Sequence, residues 1–250
     1  MKRLSLVGAA LLVPLVLSAC NGDVTPSLGT LNLSGTLVDA PTLLAADDKP
    51  WTGGAGQINL RLSEATTDLL STPLSSGGAF TLNLKDPVDD SKLPAAGFLD
   101  GVNGLCDDKA FSVTQSNPAA RTVGAQLNVK TASIDAPLVN GTASSTQATT
   151  TTPGSLLLQS GGIVYSNAAN TVTGSRTCLV SKTSTTVTFN MTLVKGWNSV
   201  VVEASGTSAG IQLTLKSSSP LSRWFVAPKP VAQPLSIQSL RGSLSRFLNP

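Results

Sequence analysis

The chain has 250 residues, with 17 Lys and Arg against 14 Asp and Glu and no histidine. Its 41% hydrophobic content is enough for a packed core, while 12% charged residues and a formal charge of +3 are not the basic excess that binding a phosphate backbone demands. Without histidine there is no Ser-His-Asp or Cys-His catalysis, no imidazole general base and no ordinary zinc or copper ligand set.

Lys2 and Arg3 precede an apolar stretch from Leu4 to Leu17, interrupted by Ser5, Gly8 and Pro14, and small residues then lead to Cys20. A basic start, a short apolar run and a small-residue end make the pattern of a secretory leader. The run falls short of the ~20 residues that span a bilayer, and Pro14 interrupts a helix, so the pattern predicts a signal peptide over 1–19 and not a retained span. The quartet Leu17-Ser18-Ala19-Cys20 resembles the lipobox of bacterial lipoproteins. That resemblance implies that the Cys20 thiol carries a diacylglyceryl group, that the chain is cut before it, and that the mature protein is held to a membrane outside the cytosol. In such lipoproteins an Asp after the cysteine favours the inner membrane. Asn21 stands there, which implies the outer envelope.

Loss of the leader removes Lys2 and Arg3, leaving 15 basic against 14 acidic side chains, and no nucleic-acid partner is expected. Residues 20–30 carry Gly22, Pro26 and Gly29 and read as a tether, roughly 33 Å when extended.

From Leu31 the apolar period becomes two. Leu31, Leu33 and Leu37, then Ile58, Leu60 and Leu62, then Phe80, Leu82 and Leu84 predict three half-buried strands, with a long loop before the second and a tight turn at Ser75–Gly78 before the third. These strands place a small β module over 31–86, which resembles the transthyretin-like and carboxypeptidase-regulatory-like modules of secreted proteins. Two prolines and three glycines mark 87–105 as a linker.

A second β region is expected over 106–228. Its predicted strands are Phe111–Val113, Val123–Val129, Ser155–Gln159, Ile163–Tyr165, Thr171–Thr173, Thr177–Val180, Val187–Val194, Val200–Val202, Ile211–Leu215 and Trp224–Val226. A loop is read at Ser144–Pro153 and a turn at Gly196-Trp197-Asn198. Many short strands without intervening helices predict an all-β fold of antiparallel sandwich modules. The stretch from Thr192 to Val202, with Trp224, resembles a recurrent pattern of uncharacterised β-rich bacterial envelope lipoproteins, which implies a setting and no activity. In the tail, 229–250, the apolar residues Ile237, Leu240, Leu244, Phe247 and Leu248 share one face of a short amphipathic helix that Ser236 can cap. No acid follows Glu203, whereas Lys216, Arg223, Lys229, Arg241 and Arg246 do, so Arg241 and Arg246 are candidates for contact with a partner subunit or an anionic surface.

With Cys20 committed to lipid, Cys106 and Cys178 remain as one even pair. An oxidising compartment favours a disulfide between them, and two separate buried thiols are the alternative. Asp47-Asp48, Asp89-Asp90 and the group Asp100, Asn103, Asp107 and Asp108 are acidic clusters. They lack the spacing and the bidentate Glu of a calcium loop, so solvated loops are expected and no metal site. Gly206 to Gly210 matches GxSxG, with Ser208 at its centre, but the stretch lies between two predicted strands and has no histidine to serve it.

Trp197 reads as core, whereas Trp51, in a Gly-rich loop, is expected to be exposed and to offer a contact surface. The leading expectation is a non-enzymatic, lipid-anchored envelope protein that needs no cofactor and acts as a structural or interaction subunit. The alternatives are a glycan- or small-ligand-binding lipoprotein using Trp51 and, last, a histidine-free hydrolase using the acidic clusters.

Overall fold

The computed structural model describes residues 29–40, 48–63, 65–85, 87–93, 99, 104–108, 110–146, 155–180, 182–207 and 210–226. The early leucine alternation becomes β1 (Leu31–Asp39), β3 (Gly56–Leu62) and β5 (Ala79–Leu84), joined by the short β2 (Lys49–Pro50) and by β4 (Leu70–Leu74). After a 3-10 turn at Asp90–Lys92 come β6 (Thr114–Gln115), β7 (Thr122–Thr131), β8 (Asp135–Thr146), β9 (Ser155–Ser166) and β10 (Asn170–Val180). The chain continues through β11 (Thr183–Leu193), β12 (Gly196–Thr207), β13 (Gly210–Ser217) and β14 (Arg223–Val226). The described chain is thus all-β, as its succession of short alternating segments predicts. The helix expected in the tail lies outside the described residues.

One region of the sheet closes on itself. β1 ladders with β5, β4 with β3, β3 with β7, β7 with β8, β8 with β14, and β14 returns to β1. At the β4–β5 corner the Ser75–Gly78 turn takes the place of a ladder. There Ser75 N–H donates to Ala79 O at 3.0 Å and the Thr72 hydroxyl to Thr81 O at 2.7 Å. The inward residues of this ring, among them Leu33, Leu60, Leu82 and Leu127, form the first core. Leu60 and Leu127 also face each other in the β3–β7 register.

The second region fans out from β9, whose Ile163–Ser166 end pairs with β7 and whose other half pairs with β8. From there the order is β9, β12, β13, β11, β10, β6. Its inward residues, such as Val187, Phe189, Met191 and Leu213, form a second core. Most ladders are antiparallel as expected, but β1–β14 and β11–β13 are parallel. A parallel pair needs a long crossover. For β1 and β14 that crossover is nearly the whole described chain.

The expected linker over 87–105 does not separate independent sheets, because β1 and β3 of 31–86 hydrogen-bond to β14 and β7 of 106–228. Its scattered apolar residues are anchors: Val88 and Leu93 are buried in the first core, Leu99 and Leu105 in the second. Arg121 fastens it further, donating to Asp90 O at 3.2 Å and to Leu93 O.

Other boundaries also move. Ser144 belongs to β8, not to a loop, and Gly196-Trp197-Asn198 opens β12 and is not a turn. Phe111–Val113 lies just ahead of β6 and forms no strand. Each pair of short strands predicted over 155–165 and 171–180 is one continuous strand.

Candidate functional site

Cys106 and Cys178 are joined in a disulfide, with Cα atoms 5.7 Å apart and 72 residues of sequence separation. The bond sits at one end of a strap, described over residues 104–108 and 110–117, that runs along β10. Asp107 N–H donates to Leu179 O at 2.7 Å, the Arg176 guanidinium to Ala110 O at 2.7 Å, and Ser116 N–H to Thr171 O at 3.0 Å. Between these contacts β6 pairs with Val172 and Thr173. The strap drops Leu105 and Phe111 into the second core, where Phe111 lies 5.4 Å from the Phe189 ring. It also covers a strand edge whose open N–H and C=O groups would otherwise invite pairing with another chain.

Two of the acidic residues build this strap. The Asp108 carboxylate accepts from Leu179 N–H at 2.8 Å and the Asp107 carboxylate from Lys182 N–H at 3.0 Å. Lys182 holds φ at +68°, a left-handed conformation that L residues adopt at a cost, so Asp107 pins a strained hairpin corner. Asp89 caps the 3-10 turn, and the Ser91 amide donated to its carboxylate holds its pKa below the ordinary value. Asp48 receives three guanidinium hydrogen bonds of 2.7–2.9 Å from Arg223, whose plane also lies 4.7 Å over the Phe225 ring. Asp47, Asp100 and Asn103 lie outside the described residues. Among the described residues, no group of three or more His, Cys, Asp or Glu side chains is placed to hold a metal ion.

Trp51 is not exposed: it is 6% accessible, packs in the first core and donates its indole N–H to Gly54 O at 2.8 Å. The Gly-rich loop folds its ring inward, which removes the contact surface expected of it. Trp197 is core, as predicted, and meets Tyr165 edge-on at 5.2 Å, while Trp224 meets Phe80 edge-on at 5.6 Å. Burial raises the Tyr165 pKa. Ser208 lies outside the described residues, but the strands on either side of it form a hairpin in which Thr207 pairs with Gly210. A strand and no helix follows it, unlike a nucleophile elbow. Cys20, Arg241 and Arg246 likewise lie outside the described residues.

A polar row that strand patterning alone does not reveal crosses four strands. The Thr142 hydroxyl on β8 donates to Gln159 Oε1 at 3.1 Å, and Gln159 Nε2 on β9 donates to Glu203 Oε2 at 3.0 Å. Lys216 Nζ on β13 donates to the same Glu203 oxygen at 2.9 Å. The hydrogen bond from Gln159, then that from Lys216, holds the Glu203 carboxyl below its ordinary value of 4.5. The row continues as hydroxyl pairs, Ser175 with Thr188 and Thr177 with Thr186, each at 2.9 Å. Strand alternation of hydroxyl and apolar residues is its only trace in the sequence; the pairing order that aligns it comes from the fold. An ionised, ion-paired carboxylate among hydroxyls can accept hydrogen bonds but has no proton to give at neutral pH. Comparison with protein-family models, with curated proteins and with solved structures gives no match for this chain.

Proposed function

We propose that the protein is a lipid-anchored protein of the cell envelope whose β body is a non-catalytic structural or interaction subunit. The observation that carries the reading is the leader ending in Leu17-Ser18-Ala19-Cys20, ahead of a body whose two other cysteines are paired. A diacylglyceryl group supplies the two acyl chains that stable anchoring requires. A structural disulfide fits an oxidising, extracytoplasmic compartment, and Asn21 supports the outer envelope over the inner membrane. A sequence without histidine, and carboxylates at Asp107 and Asp108 committed to backbone amides, support a role without catalysis. The basic tail with Arg241 and Arg246 is the proposed contact for an envelope protein or an anionic surface.

Replacing Cys20→Ala tests the anchor: the fatty-acid label that the parent chain incorporates should be lost and residues 1–19 should stay uncut, and unchanged incorporation of label would defeat the reading. Deleting residues 230–250 tests the subunit role. The melting temperature should stay as it was and recovery of co-purifying envelope proteins should fall; unchanged recovery would remove the interaction role.

A further inference from the structure

Gly29, where the described chain begins, is stitched into the body. Gly29 N–H donates to Lys195 O at 2.6 Å and Trp197 N–H donates to Gly29 O at 3.0 Å, forming a parallel bridge to Gly196. Neither position has room for a side chain. A Cβ on Gly29 would lie 2.4 Å from Val194 Cγ2, and one on Gly196, whose φ is +108°, would lie 2.5 Å from Gly29 O. The tether therefore joins the body at one fixed place, the turn between β11 and β12.

Register defines what surrounds that place. Thr122, Ser166 and Gly196 form a row across β7, β9 and β12, and Gly29 extends it. One residue beyond the row stand Arg121, Asn167 and Lys195, with Asn167 bonded to the Arg121 backbone. The Leu31–Leu84 pair brings Lys85 level with Thr30 at the same end. Lys85, Arg121 and Lys195 are exposed there, beside Val194, whose side chain is 45% accessible. Asp89, Asp90 and Lys92 share this end through the 3-10 turn that Arg121 fastens, so among the described residues Lys85, Lys92, Arg121 and Lys195 stand there against two acids.

We propose that this end, with Val194 and Lys195 at its tip, is the face that the body presents to an anionic phospholipid bilayer. The proposal rests on the reading of Cys20 as the lipid anchor. Nine residue steps separate Cys20 from Gly29, about 30 Å if extended and about 17 Å as a coil. The far end of β11 is another nine steps from Leu193 at Ser184, roughly 30 Å further by strand rise. The clamp at Gly29 thus keeps the Val194 end nearest the lipid, where an apolar side chain meets the interface and Lys195 meets phosphate.

The test attaches a fluorophore at Lys195→Cys or at Ser184→Cys in the acylated full chain, on phosphatidylglycerol-containing vesicles that carry nitroxide-labelled lipid. The expected result is several-fold stronger quenching at position 195 than at 184. Equal quenching, or stronger quenching at 184, overturns the proposal. A second arm uses Cys20→Ser with a histidine tag in place of the leader, bound to chelating lipid, so that the geometry is read without acylation. If native Cys20 is unmodified and the tagged chain keeps the ranking, the anchor reading fails and this face stands. If Cys20 is acylated and the two sites quench alike, the anchor stands and this face fails.

Discussion

The two cores are closed by different means. Strands close the first: ladders run from β4 through β3, β7, β8, β14 and β1 to β5, the Ser75–Gly78 turn joins β4 to β5, and all three tryptophans and the lone tyrosine pack inside. The second is more aliphatic, with Phe111 and Phe189 as its rings, and its edge is closed by a strap. Away from the β4–β5 corner, the ring cannot open without breaking several ladder hydrogen bonds at once. A strap docks through a few contacts, and there the disulfide sits. Cross-linking contributes where topology does not already close the chain.

The largest expected effect comes from removing the bond. For its 72-residue separation the loop-entropy model gives a stabilisation of about 4 kcal/mol. In the Cys106→Ser/Cys178→Ser double variant, amides of β10 and β11 should lose hydrogen-exchange protection at lower denaturant than tryptophan fluorescence changes. The tryptophans report only the first core. Coincident loss by both probes would erase the distinction between the cores.

Next, Phe111→Ala should cost about 3 kcal/mol in the oxidised protein and clearly less in the double variant, since both changes loosen one strap. Additive costs in a chemical-denaturation cycle would mean that the strap and the bond act separately. Leu60→Ala, in the first core, should cost about the same with the bond and without it.

Asn140 lies where the regions meet. Buried on β8, it donates to Leu221 O at 2.7 Å and Arg223 O at 3.0 Å and accepts from Leu221 N–H at 3.1 Å. Asn140→Ala strands those backbone groups and should cost about 2 kcal/mol, lowering the thermal midpoint of both regions together.

The smallest effect concerns pH. The folded Glu203 carboxyl lies below its ordinary value, so its contribution is present above the unfolded pKa and is lost as pH falls through the folded one. Glu203→Gln should therefore be less stable than the parent at neutral pH, with the gap closing under acid. A gap that widens in acid would reverse the sign.

What is legible in the sequence follows from which forces act locally. β1, β3 and β5 announce themselves because leucine alternates with polar residues on a half-buried sheet. β8, with Pro137, Asn140 and Gly141, carries no alternation from which a strand could be predicted, and its strand character comes from partners on both sides. Gly161 and Gly174 read as breaks in β9 and β10, yet each is a close approach. A Cβ at Gly161 would lie 2.1 Å from Asn140 Oδ1, and one at Gly174 would lie 3.0 Å from Ser112 O on the strap.

Compartment chemistry predicts the cysteine pair, but not what it closes, because the strap bears no periodic pattern. Trp51 is misplaced by its sequence context for a similar reason. Loop composition tells where a backbone turns, not which way its one large ring is folded.

The most direct test of the account is the intact mass of the mature protein purified from its native envelope. The account predicts a chain beginning at an acylated Cys20, two hydrogens lighter than after reduction. A chain that keeps residues 1–19, with Cys20 unmodified and Cys106 and Cys178 titrating as free thiols, would contradict it.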